Sequence, residues 1–522
     1  MKPIEERINL ISCRSNKFKM GNKNKTVYQR FYCIDNPNKS SNKFKLSINN
    51  FYRILIPAAI VNQLDIKNSF IKIEMEKNRK KDIFITKTKY NRKNGETIVF
   101  INQSMREALN LNKNDFINIL NIEKIKPFTP SKQIFINRKI DMKSLIPSKT
   151  MKKYNIFVSR YEKDNNEFLV LWYYTGNMGS KRIVIKRFIE PEVLGSILGQ
   201  LQAEGTKFKN LRKRKSPSII FTNKLVSEHN EFIENIKLLG IPKKIIKVHC
   251  YFNSNKMSKS DAQRYIKQIS EVKAKLHAQP QNKNLTIAIQ TSIDRAILAE
   301  VLLNAMNKLR EYIANNKLTK TSEKIFTHNF LAKLLTGDGN LNIRYNKNKI
   351  IVRGYISDCD KKYRNDYRKI LKNFGISVAS YDKDNRVYFK CNKENLKFLY
   401  EIKAFKGTNN WLKLLRAIII KNKRYIRLKK LSKYKKFTIK NIAHICNISY
   451  LASKQWARYN KKLNFIKVLN KKGKTEYFTL TKKSINFIYF IDKCKKEFEL
   501  YKQKLKKDDR NEAFIKRNEI KF

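Results

Sequence analysis

The sequence predicts an α+β, multidomain protein with an internally duplicated core, a β-rich region before it and a helix-turn-helix-hairpin region after it. Three observations predict this. At 522 residues the chain exceeds what one hydrophobic core organises. Three sequence matches recur in the same order within residues 190–422. β-type runs fill much of the first third, whereas glycine-closed amphipathic helices follow it. An apolar fraction of 41%, with 31 Phe and 25 Tyr, is enough for packed cores and excludes a wholly disordered chain.

Residues 1–45 form an N-terminal extension. Residues 46–126 hold two repeats: "RILIPAAIVNQLDIKNSFIKI" (53–73) matches "IVFINQSMREALNLNKNDFINI" (98–119) through Ile56/Ile101, Ile60/Met105, Leu64/Leu109 and Ile66/Leu111. Each copy reads as strand, short helix, turn and strand. The arrangement resembles the swapped-hairpin barrel of AbrB-type DNA-binding proteins. The Arg and Ile-Pro of that pattern fall on Arg53, a candidate DNA contact, and on Ile56-Pro57; the second copy has Asn102 in place of proline. A generic small β domain is the alternative. Residues 127–189 are β-rich and match no pattern.

The core reads as two halves, 190–315 and 325–422. "SILGQLQAEG" (196–205) matches "FLAKLLTGDG" (330–339), "FIENIKLLGI" (232–241) matches "YRKILKNFGI" (367–376), and "IAIQTS" (287–292) matches "VYFKCN" (387–392). Each half reads as helix, strands, helix, strand, helix. The first copy carries extra residues, expected as a polar helix around Ser258–His277. After the basic run "KNKRYIRLKKLSKYKK", residues 430–490 read as helix, tight turn, helix and a hairpin with Gly473 at its tip. This region resembles a winged helix, which implies that a helix near Tyr450–Tyr459 presents Lys454, Gln455 and Arg458 to the major groove. Residues 491–522 read as a basic C-terminal tail helix.

Lys plus Arg number 114 against 43 Asp plus Glu, a formal charge of +71. AT-rich coding would enrich Glu along with Lys, and it has not. A polyanion that neutralises this excess is the expected partner, double-stranded DNA first. The cysteines (13, 33, 250, 359, 391, 446 and 494) form no CxxC pair, which argues against a zinc ribbon or disulfide framework and for a reducing compartment. No apolar signal segment or membrane span is expected; the localisation expected is cytoplasmic, organellar or nucleoid-associated.

Chemistry is expected where the two matched helices end. Small residues let helices approach closely, and Gly199, Ala203, Ala332 and Gly337 would supply that face, with Gly205 and Gly339 turning the chain beyond it. Packed side by side, the helices bring Glu204 and Asp338 together. Two carboxylates at two negative helix ends repel one another, and a hard divalent cation, Mg²⁺ or Mn²⁺, would relieve the repulsion.

These residues resemble the LAGLIDADG homing endonucleases in their single-chain, two-motif form, over about residues 190–422. The resemblance implies a pseudo-two-fold αββαββα fold, a monomer, metal-binding acids at Glu204 and Asp338, and Mg²⁺-dependent double-strand DNA cleavage. It also implies a basic residue near each site; Lys390, Lys403 and Lys406 are candidates, and Lys390 pairs with Gln290 in the other half. Lys333 replaces a usual glycine, and Gln202 and Thr336 replace the commoner inner acid. A non-catalytic transcriptional regulator and an intron-RNA maturase are the alternatives. An intein is not expected, since the sequence neither begins with Cys or Ser nor ends with His-Asn and a nucleophile.

Overall fold

A computed structural model describes residues 32–33, 44–93, 95–173, 182–205, 218–269, 272–282, 285–346, 349–380 and 384–506. Most of the N-terminal extension and residues 507–522 of the basic tail lie outside the described residues.

The first region is one sheet with its own core, in the order β1-β2-β7-β4-β5-β6-β3. Its strands and helices are β1 (Tyr32–Cys33), β2 (Phe44–Ser47), β3 (Arg53–Ile56), α1 (Ala58–Leu64), β4 (Phe70–Lys77), β5 (Lys80–Asn91), β6 (Glu96–Phe100), α2 (Gln103–Leu109) and β7 (Phe116–Lys124). The two copies pair like with like, β3 against β6 and β4 against β7. Ile56 and Ile101, and Ile66 and Leu111, are all buried. The Pro57/Asn102 difference has a local cause. Both residues are helix N-caps, and the Asn102 side chain accepts from the Met105 amide, which proline cannot do. Asp65 and Asn110 end the helices in the left-handed conformation.

The described residues of 127–189 form two small sheets: β8 (Phe135–Ile136) and β9 (Lys139–Asp141) with β13 (Phe188–Ile189), and β10 (Ile156–Lys163), β11 (Asn166–Tyr173) and β12 (Ile183–Lys186). Arg187 joins Asp141 at 3.0 Å and Glu167 at 2.8 Å. This segment shares its apolar core with the residues after 190.

The next elements are α3 (Pro191–Glu204), β14 (Ile219–Asn223), α4 (Val226–Leu238), β15 (Ile246–Phe252), α5 (Lys259–Ile266), β16 (Ala274–Ala278), β17 (Ile287–Ile293) and α6 (Ala296–Asn315). The sheet order is β14-β17-β15-β16. The polar helix expected across Ser258–His277 is instead a short helix, α5, followed by a strand. β16 pairs in parallel with β15 at the sheet edge, so hydrogen bonding to a neighbour overrides a weak local pattern. α6 fastens the preceding β segment: Asn304 donates to the Leu145 carbonyl at 2.7 Å, and the Glu300 carboxylate accepts from the Met151 amide. Burial raises the Glu300 pKa.

The second half has α7 (Thr321–Asp338), β18 (Gly339–Asn346), β19 (Lys349–Ser357), α8 (Lys361–Asn373), β20 (Arg386–Lys390), α9 (Lys393–Glu401) and α10 (Asn409–Lys421). The sheet runs β18-β19-β20, and Val378 bridges Phe389 beside it.

The chain ends with α11 (Arg424–Leu431), α12 (Ile439–Cys446), α13 (Tyr450–Lys462), β21 (Ile466–Lys472), β22 (Thr475–Leu480) and α14 (Lys482–Lys506). Gly473 sits at the hairpin tip with φ 58°. α14 crosses residue 490 without a break and buries Ile488, Ile491, Cys494 and Phe498, so its first half is core rather than a tail. No helix among the described residues is long and apolar enough to cross a membrane.

Candidate active site

α3 and α7 lie side by side and run parallel. A Cβ added at Gly195 would stand 2.5 Å from the Phe326 carbonyl oxygen; one at Gly199 would stand 2.6 Å from that of Phe330. One at Gly337 would stand 2.5 Å from the Ala203 Cβ. These distances lie far inside van der Waals contact. Gly195, Gly199 and Ala203 are one turn apart, so one stripe of α3 meets successive turns of α7. Gly195 is absent from the predicted interface, though its i, i+4 spacing to Gly199 is legible in sequence.

Because the helices are parallel, their C-terminal ends coincide. The Gly337 Cβ position lies 3.0 Å from the Glu204 Cγ and 3.5 Å from its Oε1. Asp338 is the next residue. Glu204 is exposed and Asp338 half-buried. Gly205 and Gly339 differ from expectation. Their φ values of −108° and −94° are extended, and neither faces the partner helix. A Cβ on either would strike its own helix, at Leu201 and Leu335 respectively. Glycine is therefore needed there for close approach of the chain to the helix it has just left. Ala332 is buried, and its carbonyl accepts the Thr336 hydroxyl at 2.8 Å.

The departures at Gln202 and Lys333 have physical partners. Gln202 is fully buried. Its amide oxygen accepts from Arg310 at 3.2 Å and its amide nitrogen donates to Asp358 at 3.4 Å. A carboxylate there would face Asp358 with like charge, whereas an amide serves both neighbours. Arg310, 1% exposed, also bonds Asp366 at 2.9 Å and lies 3.7 Å over the Tyr363 ring. The Tyr367 hydroxyl donates to Asp358 at 3.0 Å. Burial, then Asp358, pushes the Tyr367 pKa well up, and the charge of Asp338 adds to this. On the other flank Lys333 bonds Glu228 at 3.0 Å and Glu231 at 2.6 Å, both on α4. Gln200 donates to Glu228 and Ser196 to Glu231, so one acidic pair binds both helices.

The candidate lysines are placed apart. Lys390 is exposed and in register with Arg353 and Asn342, three residues along β18 from Gly339. Lys403 and Lys406 are exposed in the turn after α9, where Lys403 has φ 59°. A different lysine stands by the helix end: Lys413 of α10 donates to Asn340 at 3.3 Å and to Asn410 at 3.1 Å. Asn410 in turn donates to the Gly339 carbonyl. Burial lowers the Lys413 pKa. Spacing could not have found it, since α10 reaches β18 only through the fold.

Both sheets turn a polar face outward. On the first it carries Lys247, His249, Tyr251, Gln290, Lys275 and His277; on the second it carries Asn342, Arg353, Tyr355, Arg386, Tyr388 and Lys390. Lys454, Gln455 and Arg458 are exposed together on α13. Arg53 lies 4.8 Å over the Phe100 ring and 5.3 Å over Phe51.

No protein-family model and no curated protein matches the chain. Among solved structures it is similar to the meganuclease I-SmaMI. A lysine-to-alanine mutant aligns at 12% identity and TM-score 0.24, covering 46% of this chain and 94% of that one. The form bound to uncleaveable DNA with a TTGT central four aligns at 11% and 0.25, covering 46% and 92%. The parallel helix pair and its acidic ends, not these alignments, carry the functional reading.

Proposed function

We propose that this chain is a site-specific double-strand DNA endonuclease of the LAGLIDADG type, with residues 190–422 as its catalytic core. The observation that carries the reading is the contact of Ala203 and Glu204 with Gly337. It sets two acidic helix ends side by side, where Gly205 bridges β14 of one sheet and Gly339 begins β18 of the other.

Glu204 and Asp338 would hold Mg²⁺ or Mn²⁺. Among the described residues no three His, Cys, Asp or Glu side chains gather into a closed metal cage. Two hard carboxylates suit a cation that keeps much of its water shell. When bound, such an ion supplies an acidic water and charge stabilisation at a phosphodiester oxygen. The protein's part is positioning. Close packing of the helices holds the carboxylates at one spacing, the Gln202–Arg310–Asp366 network fixes one flank, and Lys333 fixes the other. Lys413, and Lys390 farther along the sheet, would supply positive charge toward the phosphates. We also read residues 46–126 as AbrB-like and 430–490 as a winged helix that lengthens the contacted site.

The test is linearisation of a supercoiled plasmid library by the full chain with Mg²⁺. Glu204→Gln with Asp338→Asn should abolish cutting while leaving duplex binding intact. Equal cutting by that variant would remove these acids from the reaction. Tight binding without cutting by the wild type under any divalent ion would favour a regulator, and selective binding of intron RNA a maturase.

A further inference from the structure

The basic run between the core and the C-terminal module is not a loose linker. Its residues 424–431 form α11, which buries Tyr425, Leu428 and Leu431 on one face. The adjoining stripe, half-buried Arg424 and Arg427 with exposed Lys430, lines a cleft of about 1000 Å³ together with Tyr425 and Ile426. Lys393, Lys421 and Lys423 line it as well, and no Asp or Glu is among its lining residues. Lys421 is engaged by the Cys391 carbonyl at 2.8 Å. The other walls carry aromatic rings: Tyr345, 59% exposed, from the end of β18, and Tyr459, 57% exposed, from α13. Arg424 lies 5.1 Å over the Tyr459 ring. Burial, then the charge of Arg424, lowers the Lys393 pKa, so the cations here repel one another in the free protein.

The position of this cleft gives its ligand. β18 begins at Gly339, beside the acidic helix end, and reaches the cleft at Tyr345, six residues on. At about 3.3 Å per residue that is roughly 20 Å, or about six base pairs at 3.4 Å each. The far wall belongs to α13, whose exposed side holds Lys454, Gln455 and Arg458. Crowded cations with interleaved rings, partly offset by Glu394 beside Lys393, fit a phosphodiester backbone.

We propose that this cleft is a second phosphate-backbone site, which grips duplex DNA about six base pairs from the helix ends on the side of residues 325–422. The inference rests on the DNA-binding reading above. It makes the contact asymmetric, longer toward the second half than toward the first.

The test is the salt dependence of binding by the full chain to a 40-base-pair mixed-sequence duplex. Lys423→Gln, Arg427→Gln and Lys430→Gln together should reduce the slope of log K against log salt by about 2.7, at about 0.9 per lost phosphate contact. If that variant melts early, Lys423→Gln with Lys430→Gln, both exposed, should reduce it by about 1.8. An unchanged slope in folded variants, with the wild type binding well, overturns the cleft assignment alone. A slope that falls only for an RNA hairpin makes the cleft an RNA site and overturns it too. Failure of the wild type to bind duplex at all would instead bring down the nuclease reading.

Discussion

Gly337→Ala is the sharpest perturbation of this site. The new Cβ would stand 2.5 Å from the Ala203 Cβ and 3.0 Å from the Glu204 Cγ. Carbon atoms settle at about 3.5–4.0 Å, so the helix ends must part by about 1–1.5 Å. Overpacking of this kind costs about 1–3 kcal/mol. A shift of about 1 Å at reacting groups costs about 100-fold in rate. Single-turnover plasmid cleavage and urea unfolding, measured side by side, should show both losses. Adding Ala203→Gly removes the 2.5 Å contact and leaves only the flexible Glu204 side chain to adjust. The double variant should recover most of the cleavage rate. Its stability should also return close to that of the wild type, because the helical glycine gained at 203 and the one lost at 337 offset one another. Wild-type cleavage by Gly337→Ala would refute the contact, and no recovery in the double variant would refute this contact as the cause.

Lys333→Met leaves Glu228, 7% exposed, without its cation and should cost about 3 kcal/mol in urea unfolding; Glu228→Gln in that background should restore part of it. His229 is fully buried; its Nε2–H donates to the Asn223 carbonyl and its Nδ1 accepts from the Thr291 hydroxyl. Burial lowers its pKa from 6.5 to about 4. The unfolded chain therefore binds the proton first, and stability present above pH 6.5 is lost as pH falls toward 4, by about 3 kcal/mol. His229→Gln should flatten that part of the stability-against-pH curve, and an unchanged curve would contradict it. Asn102→Ala should cost about 1 kcal/mol through loss of the α2 cap, read by thermal unfolding.

What could be read from sequence was local. The stripe of Gly199 and Ala203, the helices closed by Gly240 and Gly375, and the hairpin turned at Gly473 depend on residues a few positions apart. Helical and strand periods display such residues directly. Pairing of the acidic helix ends was legible for the same reason, once two matching helices had been found. The remainder depended on chain segments meeting from far apart. Lys333 finds Glu228 and Glu231 over 100 residues back. Gln202 finds Arg310 and Asp358, and Lys413 finds Asn340 across a sheet edge. β16 became a strand because β15 offered an open edge. The run at 424–431 became the wall of a cleft because α13 and β18 close the other sides. Charge and hydrogen-bonding partners are set by packing in three dimensions, and no period along the chain records them.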